Sequence, residues 1–261
     1  MARLKVGVCE CSPELAPGSS EWSDLCRVVS REAPGLFLLN EMPFGPWISS
    51  GQAFNLGNWR ESCVAHEQGL LRLAELGATV VAGSRPHELD GRRVNEAFLW
   101  TKGEGVKHIH AKQYFPDEEG YYEARWFHAG ERHFRAAAAG PAQCGFLICT
   151  ELMFNEHARQ YGRNGAHVIL VPRAVGKESL ERWLVATRMA AIVSGAYVLS
   201  SNRAGTDSKG QVFGGSGWIV NPNGGLVART SSATPVVFHE IDTGFVTQAQ
   251  REYPCYVPDS Q

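Results

Sequence analysis

The sequence predicts an α/β domain in which buried strands alternate with helices. Short runs of apolar and β-branched residues recur along the chain, each of strand length and each close to turn residues. Longer segments with helical periodicity lie between several of these runs. This alternation is typical of a sheet whose strands are buried under helices.

The predicted elements follow one another from the first residues to the last. The predicted strands are residues 4–10, 35–41, 78–84, 94–100, 106–111, 143–150, 166–172 and 196–202, and the predicted helices are residues 59–76, 154–164 and 178–194. Between residues 215 and 230, two apolar runs flank the turn sequence Asn-Pro-Asn-Gly-Gly, which predicts a β-hairpin.

The domain organisation predicted from the length is simple. A chain of 261 residues is long for one average domain, but α/β domains of this size bury a substantial core. We therefore predict a single domain over residues 1–261. Its last part, residues 245–261, is polar and contains prolines, which is typical of a C-terminal tail that packs on other structure.

Composition excludes several classes of protein. A net charge of -2 provides no basic surface for nucleic acid or for an anionic membrane. The sequence has neither an apolar run of about 18 residues nor the apolar segment of a signal peptide, so we expect a soluble, cytoplasmic protein. The seven cysteines are odd in number and scattered, which favours reduced thiols over a disulfide framework.

Three predicted strands end in residues with reactive side chains. Glu41 ends the run 35–41, Lys112 follows the run 106–111, and Cys149 lies at the end of the run 143–150. In an α/β sheet the carboxyl ends of strands gather at one edge, where ligands usually bind. We therefore expect these three side chains to meet.

The chemistry of these three groups fits nucleophilic catalysis. A thiol with an ordinary pKa of about 8.5 is mostly protonated at neutral pH, so Glu41 is the candidate base for Cys149. Attack on a carbonyl places negative charge on oxygen, for which Lys112 and the backbone amide of Thr150 are candidate partners. Losing one such donor typically costs about 3–4 kcal/mol in the transition state.

The same segments resemble the nitrilase, or carbon–nitrogen hydrolase, superfamily over almost the whole chain. "AKQYFPDEEGYYEARWFHAG" is similar to the superfamily's lysine segment, "ICTELMFNE" to its nucleophile turn, and "GGSGWIVNPNGGLVA" to its late hairpin. The resemblance implies a four-layer α-β-β-α sandwich, a homodimer or higher homo-oligomer, and hydrolysis without a metal or an organic cofactor.

The resemblance also implies a role for each site residue. Glu41 is the general base, Lys112 stabilises the tetrahedral intermediate, and Cys149 forms a thioester that water hydrolyses. The superfamily's second glutamate, which positions the lysine and the substrate, falls on Glu123, with Glu119 as the alternative in the same loop.

Many members of the superfamily have a tryptophan and an acid after the cysteine, where this chain has Thr150 and Glu151. The aromatic wall beside the thiol is therefore absent or is supplied by Phe154, Trp126 or Tyr121. This departure concerns the substrate rather than the catalytic residues.

Arg173 follows the predicted strand at 166–172 and has a planar guanidinium suited to binding a carboxylate. N-carbamoyl-amino-acid hydrolases have arginines near this position that hold the substrate carboxylate. The sequence is therefore interpreted as a hydrolase of a small amide or N-carbamoyl compound that bears a carboxylate. The alternatives are a nitrilase with the same catalytic residues and a non-catalytic binding or regulatory protein with the same fold.

Two short motifs resemble metal-ligand pairs, "CEC" at residues 9–11 and "HIH" at residues 108–110. Alternation along a strand places the outer residues of such a triplet on one face, and neither motif has a second pair at ligand spacing. We therefore predict no metal site and interpret both pairs as strand residues that share a face.

Overall fold

The computed structural model describes residues 2–131 and 133–259 and contains a mixed β-structure with helices outside it. The strands are β1 (Arg3–Cys11), β2 (Leu36–Leu38), β3 (Val80–Leu89), β4 (Arg92–Thr101), β5 (Gly105–Ala111), β6 (Ala137–Ala139), β7 (Ala142–Phe146), β8 (Val168–Arg173), β9 (Tyr197–Thr206), β10 (Val212–Gly214), β11 (Trp218–Val220), β12 (Leu226–Arg229) and β13 (Val236–Asp242).

The helices lie between and after these strands. They are α1 (Ser20–Glu32), α2 (Leu56–Leu70), α3 (Glu123–Trp126), α4 (Asn155–Arg163), α5 (Leu180–Ser194) and α6 (Thr243–Ala249), with short 3₁₀ helices at Ile48–Ser50, Leu73–Leu76, Cys149–Met153 and Lys177–Ser179. Of the helices in residues 2–131 and 133–259, none is both long and apolar enough to cross a membrane.

The strands form two sheets that join at one corner. The first has the order β13-β1-β2-β3-β4-β5, and the second has the order β12-β11-β9-β8-β7-β6, with β10 paired to β9. The junction is a short parallel pairing of β1 with β9, where Glu10 lies opposite Asn202 and Cys11 lies opposite Arg203.

The alternation of side chains along β2 shows how the layers stack. Leu36 and Leu38 contact a core shared with the strands of the second sheet, which we call the inner core. Phe37 points the other way, into a core that includes Trp22 and Val29 of α1, which we call the outer core. Helices α4 and α5 pack together, and α5 covers β9 and β11 of the second sheet. The predicted four-layer α-β-β-α sandwich is confirmed.

The predicted strands are found close to their expected positions, whereas the helices differ more. Helix α1 was not predicted, although Ser19 caps it by accepting a hydrogen bond from Trp22 N at 3.1 Å. The helix predicted over 59–76 was wrong at both ends, because α2 begins at Leu56 and stops at Leu70. The chain then turns through the exposed Leu71 into a separate 3₁₀ helix.

A β-bulge in β5 changes which residues share a face. Ala97 of β4 pairs with His110, but the next residue, Phe98, pairs with His108, so Ile109 is an extra residue. Ala97 belongs to the inner core and Phe98 to the outer core. The two histidines therefore face opposite sides of the sheet.

The prediction that His108 and His110 share a face was consequently wrong. His108 Nδ1 lies 2.7 Å from Glu96 Oε1, whereas His110 Nε2 lies 2.9 Å from both carboxylate oxygens of Glu151. Simple alternation along the strand does not anticipate this arrangement, because it assumes a regular strand.

The segment predicted as a C-terminal tail, residues 245–261, begins inside α6 and then continues through turns along the surface of α4. Arg159 of α4 donates to Asp259 Oδ1 at 2.7 Å and also to the backbone oxygen of Val257. The last part of the described chain is thus held on its own domain.

Candidate active site

The three strand ends named from the sequence meet where the two sheets adjoin. Glu41 comes three residues after β2, and its backbone is held by both strands of the second sheet that lie beside it. Its N–H donates to Arg173 O of β8 at 3.2 Å, and its carbonyl accepts from Arg203 Nε of β9 at 3.0 Å. Lys112 directly follows β5, and its N–H continues the ladder by donating to Asn95 O at 2.9 Å.

The ammonium group of Lys112 lies between two carboxylates. Lys112 Nζ is 2.8 Å from Glu41 Oε1 and 2.9 and 2.7 Å from the two oxygens of Glu123. All three side chains are buried. Asn95 Nδ2 donates to Glu41 Oε1 at 2.8 Å, while Glu41 Oε2 is buried without a partner among the described residues. That oxygen is available to accept a proton.

These charges change the proton affinities of the group. Burial alone would lower the pKa of Lys112, but the carboxylates of Glu123 and Glu41 more than offset this and raise it. Burial raises the pKa of Glu123 to about 7, against the lowering effect of Lys112 and with a further contribution from Glu41. Lys112 therefore stays protonated.

Cys149 lies beside this network in a strained turn. β7 ends at Phe146, and Cys149 opens a 3₁₀ helix with a φ of 47°, in the left-handed region that residues with a Cβ seldom adopt. Burial and the charge of Glu41 raise the pKa of its thiol well above the ordinary value, and Lys112 counteracts them only in part. The resting thiol is therefore neutral, and its attack on a substrate requires a base.

The thiol opens onto a cavity of about 350 Å³. Its walls come from the loop before α3, the nucleophile turn, the segment after β8 and the first turn of α5. The lining residues are Pro116, Asp117, Glu118, Tyr121, Glu123, Cys149, Thr150, Met153, Ala174, Val175, Gly176, Ser179, Arg182 and Trp183. The cavity wall thus combines apolar residues such as Val175 and Trp183 with charged residues such as Glu123 and Arg182.

Glu123, rather than Glu119, contacts the lysine. Glu123 opens α3 and is buried, whereas Glu119 is exposed in the preceding loop and is not part of the cavity wall. Of the aromatic residues considered for the wall, Tyr121 lines the cavity. Trp126 instead donates its indole N–H to Gly51 O at 2.8 Å, outside the cavity wall.

Two further aromatic residues differ from expectation. Phe154 stacks on Tyr114 with ring centroids 4.1 Å apart and does not line the cavity. Trp183 of α5 does line it, although no sequence pattern singled out this residue. Its helix faces the site because of tertiary packing, which helical periodicity alone does not reveal.

Arg173 does not reach the cavity. Its side chain is buried, Nε donates to Ser200 Oγ at 2.6 Å, Nη2 donates to Ser216 O at 2.6 Å, and the guanidinium lies 3.9 Å from the centre of the Trp218 ring. Burial lowers its pKa to about 9. Arg173 is the last residue of β8, and its side chain turns into the structure to contact Ser200 and Ser216. The sequence had suggested a substrate contact at this position.

Arg182, near the start of α5, is the arginine on the cavity wall. Its side chain has no carboxylate partner within salt-bridge distance among the described residues. Sequence reasoning missed it because an exposed arginine in an amphipathic helix is ordinary, and only the packing of α5 shows which face meets the site.

Comparison with known proteins agrees with this architecture. The family model described as carbon-nitrogen hydrolase matches residues 5–251. A citrullinase from Francisella tularensis is 26% identical over 97% of this chain and 93% of its own length. An N-carbamoylputrescine amidase from Solanum tuberosum is 23% identical over 87% of this chain and 81% of its own.

Among solved structures, a carbon-nitrogen hydrolase from Helicobacter pylori G27 superposes with a TM-score of 0.85 at 20% identity, covering 98% of this chain and 94% of that one. The similarity therefore extends over the whole four-layer fold rather than over one motif. The chain belongs to the carbon–nitrogen hydrolase family of the nitrilase superfamily, and it is a hydrolase of carbon–nitrogen bonds other than peptide bonds.

Proposed function

We propose that this protein is a thiol amidohydrolase that cleaves a small linear amide or N-carbamoyl compound through a thioester on Cys149. The observation that carries the proposal is the buried Lys112 ammonium between the carboxylates of Glu41 and Glu123, beside a cavity that Cys149 also lines. Nucleophile, base and cation are the groups that acyl transfer to a thiol requires.

In the first half of the reaction, Cys149 Sγ attacks the substrate carbonyl carbon and its proton passes to Glu41 Oε2. The negative charge that develops on the carbonyl oxygen is stabilised by Lys112 Nζ and by the backbone N–H of Thr150. Glu41 then returns the proton to the leaving nitrogen, the C–N bond breaks, and ammonia or an amine departs.

In the second half, water attacks the thioester carbon while Glu41 accepts one of its protons. The C–S bond breaks, the thiol recovers a proton, and the carboxylic or carbamic acid leaves. Glu123 remains in contact with Lys112 throughout and keeps the ammonium in position for both steps.

The cavity wall supports a substrate that carries a carboxylate. Arg182 offers a guanidinium on the wall of the same cavity that Ser179 and Cys149 line, and such a fork binds a carboxylate bidentately. We assign to Arg182 the role that the sequence suggested for Arg173. The name of the Solanum relative, an N-carbamoylputrescine amidase, supports an N-carbamoyl group at the reacting end.

The proposal is tested by measuring ammonia release from N-carbamoyl amino acids, ω-amides of dicarboxylic acids, simple amides and nitriles. We expect activity on the carboxylate-bearing amides or carbamoyl compounds that is lost in Cys149→Ala. Cys144→Ala is the matched control, since Cys144 is an equally buried thiol on β7 that does not line the cavity. Full activity in Cys149→Ala would refute the mechanism.

A further inference from the structure

A second buried pair, formed by His110 and Glu151, lies next to the Lys112 network but takes no part in the reaction described above. His110 Nε2 is 2.9 Å from both oxygens of Glu151, and the two side chains are 2% and 0% exposed. A buried carboxylate of this kind needs several donors to remain in the interior.

Glu151 connects the lysine segment to the nucleophile turn. Its Oε1 accepts from Gln113 N at 2.8 Å, directly after the catalytic lysine, and its Oε2 accepts from Ile148 N at 2.8 Å, directly before Cys149. One carboxylate therefore holds the backbone next to Lys112 and the backbone next to Cys149 at the same time.

The bulge at Ile109 makes this connection possible. It turns His110 toward the inner core, on the same face of β5 as Lys112 two residues later, while His108 points to the outer core. The end of β5 thus places Lys112 between the carboxylates of Glu41 and Glu123, and it places His110 against the carboxylate of Glu151.

The turn that Glu151 closes is the strained one. A residue with a Cβ keeps a left-handed backbone conformation only when its surroundings hold it there, and Cys149 has a φ of 47°. The hydrogen bond from Ile148 N to Glu151 Oε2 spans this residue and closes the turn.

We propose that His110 is a positioning residue for the nucleophile. By holding Glu151, it fixes the turn from Ile148 to Glu151 and thereby sets the thiol of Cys149 relative to Lys112. The catalytic consequence of this role rests on the function proposed above, but the geometric role does not.

The test compares two substitutions of the same size class. His110→Met removes the donor to Glu151, whereas His110→Gln keeps an amide donor at nearly the same position. The measurement is the rate at which iodoacetamide alkylates Cys149, followed by mass spectrometry of the peptide. We expect His110→Met to slow alkylation by about 10- to 100-fold, the effect of a displacement near 1 Å, and His110→Gln to restore most of the rate.

His108→Met is the control. His108 lies on the opposite face of β5 from His110, and it also contacts a buried carboxylate, that of Glu96 on β4. This substitution is expected to leave the alkylation of Cys149 at the native rate. A native rate in His110→Met, or an equal loss in His108→Met, would overturn the proposal. If His110→Met does not fold, Glu151→Gln serves instead, since it leaves one oxygen for three donors and is expected to slow alkylation in the same way.

Steady-state kinetics separate this inference from the proposed function. With a turned-over substrate, His110→Met should lower kcat and leave KM nearly unchanged, because the cavity wall is intact. Activity that persists in Cys149→Ala would refute the proposed function, while the alkylation comparison, which needs no substrate, would still decide the role of His110.

Discussion

Lys112 keeps its charge in a buried site because two carboxylates contact its ammonium group. An isolated buried ammonium would lose its proton, and an isolated buried carboxylate would gain one. Burial, with a smaller contribution from the charge of Glu41, raises the pKa values of Glu123 and Cys149, and Lys112 offsets this only in part. The same residues that stabilise one another therefore keep the thiol protonated until a substrate arrives.

Glu123 makes the stability of the protein depend on pH. Because its pKa is raised from 4.5 to about 7, its contribution to stability is fully present below pH 4.5 and is lost as the pH rises through about 7. We expect roughly 3 kcal/mol of the native unfolding free energy to disappear across this range, and Glu123→Gln to flatten the profile. Urea unfolding at several pH values measures both.

Glu119→Gln is the control for this experiment, since Glu119 is an exposed acid in the same loop. It should leave the native pH profile unchanged. A Glu123→Gln profile as steep as the native one between pH 4.5 and 8 would show that Glu123 does not titrate in this range.

Arg182 sets the charge preference of the cavity if it binds the substrate carboxylate. A charge-assisted hydrogen bond contributes about 1.5–3 kcal/mol, so Arg182→Gln should raise KM for carboxylate-bearing substrates by roughly 10- to 100-fold with little change in kcat. Uncharged amides should be affected much less.

Arg188→Gln provides the comparison, because Arg188 is an exposed arginine on the same helix that does not line the cavity. Equal KM values for Arg182→Gln and native protein, or the same increase for charged and uncharged substrates, would remove Arg182 from substrate recognition.

The sequence allowed three site positions to be chosen for physical reasons, because Glu41, Lys112 and Cys149 follow predicted strands, whereas Glu123 was chosen from the resemblance to the superfamily. The structure brings the carboxylates of Glu41 and Glu123 to the ammonium. Arg173 is buried and lies outside the cavity wall, because the direction of a strand-end side chain depends on sheet packing, which a single sequence does not contain.

At the scale of elements, strands were easier to predict than helices. Continuous apolar runs mark buried strands, and most of those runs form strands. Helix α1 was missed although Trp22, Leu25 and Val29 are buried at helical spacing and Ser19 provides a cap. The bulge in β5 had no signal in the sequence, because a single extra residue leaves the pattern of apolar residues unchanged.

The cap of α1 can be tested directly. Ser19→Ala removes the acceptor for Trp22 N and should lower the unfolding free energy by about 1 kcal/mol, as measured by urea denaturation. Ser30→Ala in the exposed part of the same helix is the control and should be neutral or slightly stabilising, since alanine favours helix. Equal effects of the two substitutions would contradict the capping role.

At the scale of the whole molecule, the junction of the two sheets builds the site. Glu41 follows a strand of the first sheet, yet its backbone is hydrogen-bonded to β8 and β9 of the second, while Cys149 follows β7. The groups that we propose as catalytic are therefore fixed relative to one another by the sandwich itself.

The outer surface of α5 carries two exposed apolar residues one turn apart, Val185 and Met189, which are 65% and 44% exposed. We expect this face to pair with a second copy of the chain, in line with the homo-oligomer expected from the sequence. Light scattering after gel filtration should give a dimer or a multiple of it, and Val185→Asp should shift the population toward smaller species.

Val64→Asp, on the exposed side of α2, is the comparison, since Val64 is an exposed valine on a helix outside the first sheet. It should leave the oligomeric state unchanged. A monomer in the native protein, or dissociation caused equally by both substitutions, would contradict a role for the α5 surface.

We expect Cys149 to carry the acyl group during turnover. The most direct measurement is rapid quenching of the enzyme with a turned-over substrate, followed by mass spectrometry of the intact chain and of its peptides. We predict an added acyl or carbamoyl mass on the peptide that contains Cys149, and no such mass in Cys149→Ala. Undiminished turnover in Cys149→Ala would contradict this role of the thiol.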